Sequence, residues 1–336
     1  MDKIEERYKF LEEKKNLLKR LNDMIPWDIL VSELKVIEEK PRKSNAGRKR
    51  YNLKLMLKIL ILQSLYNLSD DELEYQINDR LSFMKFLDLE IGDKIPDSKT
   101  IWNFKEDIKR HKLEIKLFEN FSYYLNKCGY QAQEGQILDA TLVPVPKQRN
   151  TKEENKLIKQ GEIPEEWKEN NHKLRQKDTE ARWTKKGQIS YYGYKNHVNT
   201  DKKFKFIRKY TVTDASVHDS QVIGKLLDDD NENEKIWADS AYWAEYFIEV
   251  LTWLGFTPEI NEKAFKNKPL SEEQKSNNKE KSKIRARIEH IFGHIVMSMG
   301  GKIIRSIGIE RAKVNIGLKN LTYNLTRYVF LESSQA

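Results

Sequence analysis

The chain has 336 residues, and its 61 Lys and Arg against 52 Asp and Glu leave a net charge of +9, which makes a polyanion a natural class of partner. With 14 Gly and 8 Pro it is neither collagen-like nor Pro/Gly-rich and disordered, and 7 Trp, 15 Tyr and 13 Phe supply enough large apolar surface for a packed core. The single cysteine, Cys128, excludes an internal disulfide and a Cys-based zinc module, and it suits a reducing compartment.

The first residues, Met1 to Arg7, are charged and lack an apolar signal-like run, and the longest apolar stretch, Leu53–Leu68, is interrupted by Lys54, Lys58, Gln63, Ser64 and Asn67. The expectation is a soluble cytoplasmic protein with no membrane span. Ile4, Tyr8, Leu11, Leu18 and Ile25 lie on a seam broken by Lys15 and Asn22, which predicts an amphipathic helix more than a coiled coil. From Lys40 to Lys54 there are seven basic residues and no acid. That run reads either as a solvated loop or as a phosphate-backbone contact.

Leu53–Leu68 predicts a mostly buried helix, and Ser69 with Glu72 predicts a capping box that opens the next one. Phe83, Phe86 and Leu87 belong to a short helix. After a turn at Gly92, Pro96 and Asp97, a further helix capped by Asp97 or Ser98 runs through Lys109. Short helices with tight turns, the last carrying Lys99, Lys105, Lys109 and Arg110, suit a DNA-binding domain and equally a bundle with a charged outer face.

Past Gly129 the period changes. Strands are expected at Gln136–Val143, Ile189–Val198 and Phe204–Val212, with Thr200 to Lys203 as a hairpin turn. A helix from His218 to Leu227, a strand Lys235–Ala238, a helix Ala244–Leu254 and a strand Phe256–Ile260 follow. Two helices close the chain, from about Lys281 to Met299 and from Arg311 to Leu331. Three antiparallel strands and then alternating helices and strands are the order of a ribonuclease-H-like fold of the retroviral-integrase type. The expected organisation is a helical DNA-binding domain over 1–115 and this α/β catalytic domain over 116–336. The latter carries a basic insertion at about 146–188, where twelve basic and eight acidic residues lie between Lys147 and Gly187.

Three carboxylates fall where this order would bring elements together: Asp139 in the first strand, Asp239 after the fourth, and Glu289 on the long helix. An acid inside an apolar strand is costly to bury without a cation or hydrogen bonds. Acids converging from three elements offer the hard oxygen ligands that Mg²⁺ takes. Each also has a plainer reading: Asp239 as a helix cap, Asp139 bonded to a nearby turn, Glu289 paired with Arg285 one turn earlier. His290 and His294 lack a third soft ligand for zinc, and Asp219 after His218 reads as a cap. Lys195 and His197 share a strand face, either to reach a phosphate or to face solvent.

At this point the sequence resembles the DDE transposases of bacterial insertion sequences, the large family numbered five and its relatives. The stretches that carry the resemblance run in order from Leu65-Tyr66-Asn67-Leu68-Ser69-Asp70 through Leu138-Asp139-Ala140-Thr141 and Gly193-Tyr194-Lys195-Asn196-His197. They continue through Ala238-Asp239-Ser240-Ala241-Tyr242 to Arg287-Ile288-Glu289-His290-Ile291-Phe292-Gly293. The resemblance implies a catalytic and metal-holding triad of Asp139, Asp239 and Glu289, Mg²⁺ (or Mn²⁺) as cofactor, and terminal inverted repeats and target DNA as partners. It also implies a homodimer or larger synaptic complex in the bacterial nucleoid. The expected DNA contacts are Arg48, Lys49, Arg50, Lys99, Lys105, Lys195, His197, Arg285 and Arg287. Relatives carry Tyr-x₂-Arg-x₃-Glu-x₆-Lys around the last acid; here Arg285 and Glu289 match, and Ser282 and Val296 stand at the Tyr and Lys places. The alternatives are a non-catalytic DNA-binding relative and a ribonuclease-H-like nuclease that cuts without joining.

Overall fold

The computed structural model describes residues 6–7, 9–10, 16–38, 49–231, 233–264 and 269–335. Ile4, Tyr8, Leu11 and Lys15 of the N-terminal seam, and Lys40 to Arg48 of the basic run, lie outside the described residues. The chain forms two compact units, one of residues 1–125, 298–301 and 317–336 and one of residues 126–297 and 302–316.

The first unit is helical. Its central helix, Leu53–Tyr66, is capped by the Asn52 side chain and buries nearly every side chain, including Lys58. Burial pushes the Lys58 ammonium below the usual lysine range, and Asp88 pairs with it. Ser69 caps the helix Asp70–Asp79 by accepting from the Glu72 amide at 3.2 Å, but the Glu72 carboxylate takes the Gln76 amide instead of closing a capping box. Asp97 caps Ser98–His111 through the Thr100 amide at 2.7 Å.

The second unit is built on a six-stranded mixed sheet: β1 (Gln136–Pro144), β2 (Arg182–Lys186), β3 (Ile189–Asp201), β4 (Ile207–Asp214), β5 (Lys235–Ala238) and β6 (Thr257–Ile260). β1 pairs antiparallel with β3 and parallel with β5; β3 pairs antiparallel with β4, and β5 parallel with β6. Leaving out the β2 hairpin, the order β4-β3-β1-β5-β6 is that of the ribonuclease-H-like fold, as the order of elements in the sequence predicts. Leu138, Val222, Leu226, Ile236 and Tyr242 form one core, and Val143, Tyr194, Val212, Ile304 and Ile316 another.

Four expectations shift. β4 begins at Ile207, not Phe204, because Asp201 accepts from the Phe204 and Phe206 amides and bends that segment into the turn. The expected helix His218–Leu227 is a short 3₁₀ turn, Asp219–Val222, followed by Ile223–Leu226. The long helix begins at Glu272, nine residues before Lys281, since Ser271 and Gln274 cap each other's amides at 3.1 and 2.9 Å. The long basic connection is folded. It holds three short helices and β2, anchored by the fully buried Trp167, whose Nε1 donates to Glu154 at 2.8 Å.

Gly193 marks where β3 passes between β1 and β2, opposite both Pro144 and Arg182. Its φ is +151°, and a Cβ there would sit 2.2 Å from the Val143 carbonyl oxygen. Only glycine lets the two backbones approach this closely.

Candidate active site

β1 and β5 run parallel with Gln136 opposite Ile236 and Ile137 opposite Trp237. Carried two residues further, this offset sets Asp239 level with Asp139. Each carboxylate is held at one oxygen by backbone. Asp139 Oδ1 accepts from the Ala140 amide at 2.8 Å, and Asp239 Oδ1 accepts from the Ala241 amide at 2.8 Å, so the cap reading of Asp239 is also correct. Arg285, on the helix Glu272–Met297, donates from Nη1 to Asp139 Oδ2 at 3.0 Å, and its Nη2 lies 3.5 Å from Glu289 Oε1. The guanidinium therefore stands between the strand acid and the helix acid.

Burial dominates the electrostatics of this site. Burial pushes the Asp139 carboxyl up to about 6; the Asp239 charge pushes the same way, while the Ala140 amide, Arg285 and Lys186 oppose it. The Asp139 side chain is 14% exposed, whereas that of Glu289 is 61% exposed. Tyr242, three residues after Asp239, is fully buried, and its hydroxyl has no hydrogen-bond partner. Burial and the charges of Asp219, Asp139 and Asp239 raise its phenol well above the usual range. Arg285 Nε is likewise buried and unpartnered.

Among the described residues, no three His, Cys, Asp or Glu side chains are grouped closely enough to hold a metal ion. The strand pair nevertheless fits a divalent cation: its donors are hard carboxylate oxygens, Asp139 resists ionisation because it is buried beside a second carboxylate, and the Tyr242 hydroxyl and Arg285 Nε are orphaned. Glu289 is separated from Asp139 by Arg285.

Other expected residues are placed as follows. Directly opposed residues on paired strands share a face, and His197 faces Ala140 while Asp139 faces Val198. Lys195 and His197 thus lie on the opposite sheet face from Asp139. His197 is fully buried, its Nε2 2.9 Å from Thr213 Oγ1, and burial lowers it to about 4. The expected DNA contact by His197 is therefore corrected: its ring does not reach the surface. Lys195 Nζ donates to the Val217 carbonyl at 2.6 Å and to Asp219 at 2.9 Å, which makes it an internal tie. Asp219 does not cap the turn that follows; the His218 side chain does, accepting from the Ser220 amide.

Arg287 Nη1 donates to the Lys202 carbonyl at 2.9 Å. Ser282, at the family's Tyr place, accepts from the Asn261 amide at 2.9 Å, and Val296 is exposed. In the helical unit Lys99 and Lys49 are exposed, Lys105 pairs with Asp70, and Arg50 donates to the Ile37 carbonyl. Arg48 lies outside the described residues. The sequence assigned no role to Tyr242; its signal was a tyrosine three positions after a candidate acid in a stretch the family shares.

A profile of the transposase DDE domain matches residues 130–325, and one of a transposase domain (DUF772) matches residues 5–107. The chain belongs to the DDE transposase family. It is a metal-dependent DNA transposase, an enzyme of DNA transposition whose domain works with a divalent metal. Among solved structures it is similar to the piggyBac transposase synaptic complex with hairpin DNA, at 12% identity and a TM-score of 0.49, with 97% of this chain and 77% of that chain covered. No helix among the described residues of this transposase is long and apolar enough to cross a membrane.

Proposed function

We propose that this transposase binds the terminal inverted repeats of its own insertion sequence, cleaves at the element ends and joins the resulting 3′-hydroxyls to target DNA. Asp139 and Asp239, with Glu289, would hold Mg²⁺, for which Mn²⁺ can substitute. When bound, two such ions would activate the attacking oxygen and stabilise the leaving oxygen of each phosphodiester. The observation that carries this reading is the strand pair Asp139 and Asp239, each tied to a backbone amide and mutually repelling.

The chain's own contributions follow from that geometry. The amides of Ala140 and Ala241 fix one oxygen of each aspartate, so the carboxylates are oriented before any ligand arrives. Arg285 holds Asp139 and lies near Glu289; released from them, it would have a guanidinium to offer a DNA phosphate. Water attacks the phosphodiester at the element end and leaves a 3′-hydroxyl, which then attacks a target phosphodiester in line. No covalent protein–DNA intermediate is required. Cutting two ends together calls for a homodimer or larger synaptic complex.

The test is nicking of a duplex carrying the gene's own flanking ends, by wild type and by Asp239→Asn. Cleavage at the element boundary that needs Mg²⁺ or Mn²⁺ and vanishes in the variant, with DNA binding retained, is the expected result. Equal cleavage by both proteins would remove Asp239 from the chemistry, and tight binding without cleavage by wild type would favour a non-catalytic DNA-binding role.

A further inference from the structure

The folded insertion ends in the β2–β3 hairpin, and its placement relative to Asp139 gives it a use. Along β3, Val198 and Asn196 face Asp139 and Thr141, and the same face continues to Tyr192 and Ser190. Those two residues are opposed by Trp183 and Lys185 of β2. Trp183 and Lys185 therefore stand on the face of the sheet that carries the candidate acids. Lys186, at the end of β2, is near enough for its charge to act on Asp139 from one side and on Lys302 from another. Lys302 Nζ in turn donates to Thr141 Oγ1 at 2.6 Å, two residues from Asp139.

The surface has the composition of a nucleic-acid track. Trp183 is 42% exposed, its ring 5.1 Å from that of Tyr192, and the Lys147 ammonium lies 5.8 Å from its centroid. Lys147, Lys185 and Lys186 are exposed, and none has an ion-pair partner among the described residues. Of the neighbouring acids, Asp178 is buried and accepts from the Tyr194 hydroxyl, and the exposed Glu180 accepts from the Ile309 amide at 2.9 Å. What faces outward is positive charge beside an aromatic ring, the combination that holds a strand by its phosphates and stacks a base.

We propose that the hairpin 182–193 is a DNA-strand clamp: Lys186, Lys185 and Lys302 take phosphates of the strand leading away from the scissile bond, and Trp183 stacks one of its bases. This rests on the reading of the acids as the cleavage site. In register, Trp183 lies opposite Tyr192, six positions along β3 from Val198, the partner of Asp139.

The experiment uses full-length protein and a duplex carrying the gene's own flanking ends, nicked at the element boundary, with 2-aminopurine placed in turn at positions one to eight from it. Wild type, Trp183→Ala and the double variant Lys185→Ala/Lys186→Ala are compared for binding against NaCl concentration and for 2-aminopurine fluorescence. All three substitutions are at exposed positions, and unchanged thermal melting confirms intact folds. The double variant should lose up to about two units of the log–log salt slope, at ~0.9 per phosphate. Trp183→Ala should abolish a fluorescence change at one or two neighbouring positions of the scan while keeping the slope.

Wild-type slope and fluorescence in both variants would overturn the clamp, and would leave the cleavage reading standing if wild type still nicks the intact duplex with metal. Loss of slope and stacking signal, in a wild type that binds but does not nick, would support the clamp and sink the cleavage reading. A wild type that does not bind the duplex overturns both.

Discussion

Two aspartates of the same sheet, each paired with an arginine, contrast a closed ion pair with an open one. Asp201, at the end of β3, accepts from the Phe204 and Phe206 amides and from Arg208 Nε at 2.7 Å, and Arg208 Nη2 donates on to the Tyr130 carbonyl at 2.8 Å. Both side chains are almost fully buried. Asp139 has one backbone amide and one arginine, faces a second aspartate, and its arginine keeps an orphaned Nε. Burial raises both carboxyls, but the Asp201 site is closed by its own chain and the Asp139 site is left wanting a cation.

The sharpest break in this comparison comes from the arginines. Arg208→Ala leaves Asp201 buried without its partner and should cost about 3–5 kcal/mol of stability. Arg285→Ala, at a pair whose side chains are 21% and 14% exposed, should cost less, about 1–3 kcal/mol. Urea melts of both variants measure the difference, and equal losses would mean that the Asp139 pair is as structural as the Asp201 pair.

A second difference appears with pH. Because the Asp139 carboxyl sits at about 6 in the fold against an ordinary 3.8, the folded chain holds that proton more tightly than the unfolded one. Its ionised form therefore costs stability, a cost that accumulates from about pH 4 to pH 6 and stays constant above. Asp139→Asn removes it, so in metal-free buffer the variant should exceed wild type by up to about 3 kcal/mol at pH 8, with the gap closing below pH 4. A gap of the same size at pH 4 and pH 8 would show that Asp139 is not strained by charge.

The smallest effect belongs to the helical unit. Neutralising Arg48, Lys49 and Arg50 together should lower the salt slope of end binding by up to about three units, at ~0.9 per lost phosphate contact. An unchanged slope would take that run out of the interface.

Much of the fold was legible because its signals are local. The apolar runs at Gln136–Val143 and Lys235–Ala238 became β1 and β5, and the strand order followed. Where the reading fell short, short-range polar chemistry had decided the structure. Ser271 with Gln274 started the long helix early, and Thr151 with Glu154 made a capping box that opened a helix inside the insertion. Both fit the Ser/Thr-x-x-Glu/Gln pattern and were readable in principle. Less could be read of the site. Lys195 and His197 sit at alternating positions, which establishes a shared face, but only the register of β1 on β3 shows that this face turns away from Asp139. The Arg285–Glu289 pair was readable from its one-turn spacing, but the reach of Arg285 to Asp139, 146 residues away, is a tertiary fact with no counterpart in local sequence.

The cap made by Asp239 has a genetic consequence. One of its oxygens accepts from the Ala241 amide and the other is not used by the cap, so asparagine keeps the cap and loses only the charge. On the proposed function, a copy of the gene carrying that change would yield a folded protein that still occupies element ends. Such copies would not merely fall silent; they would act as competitors of every intact copy in the same cell.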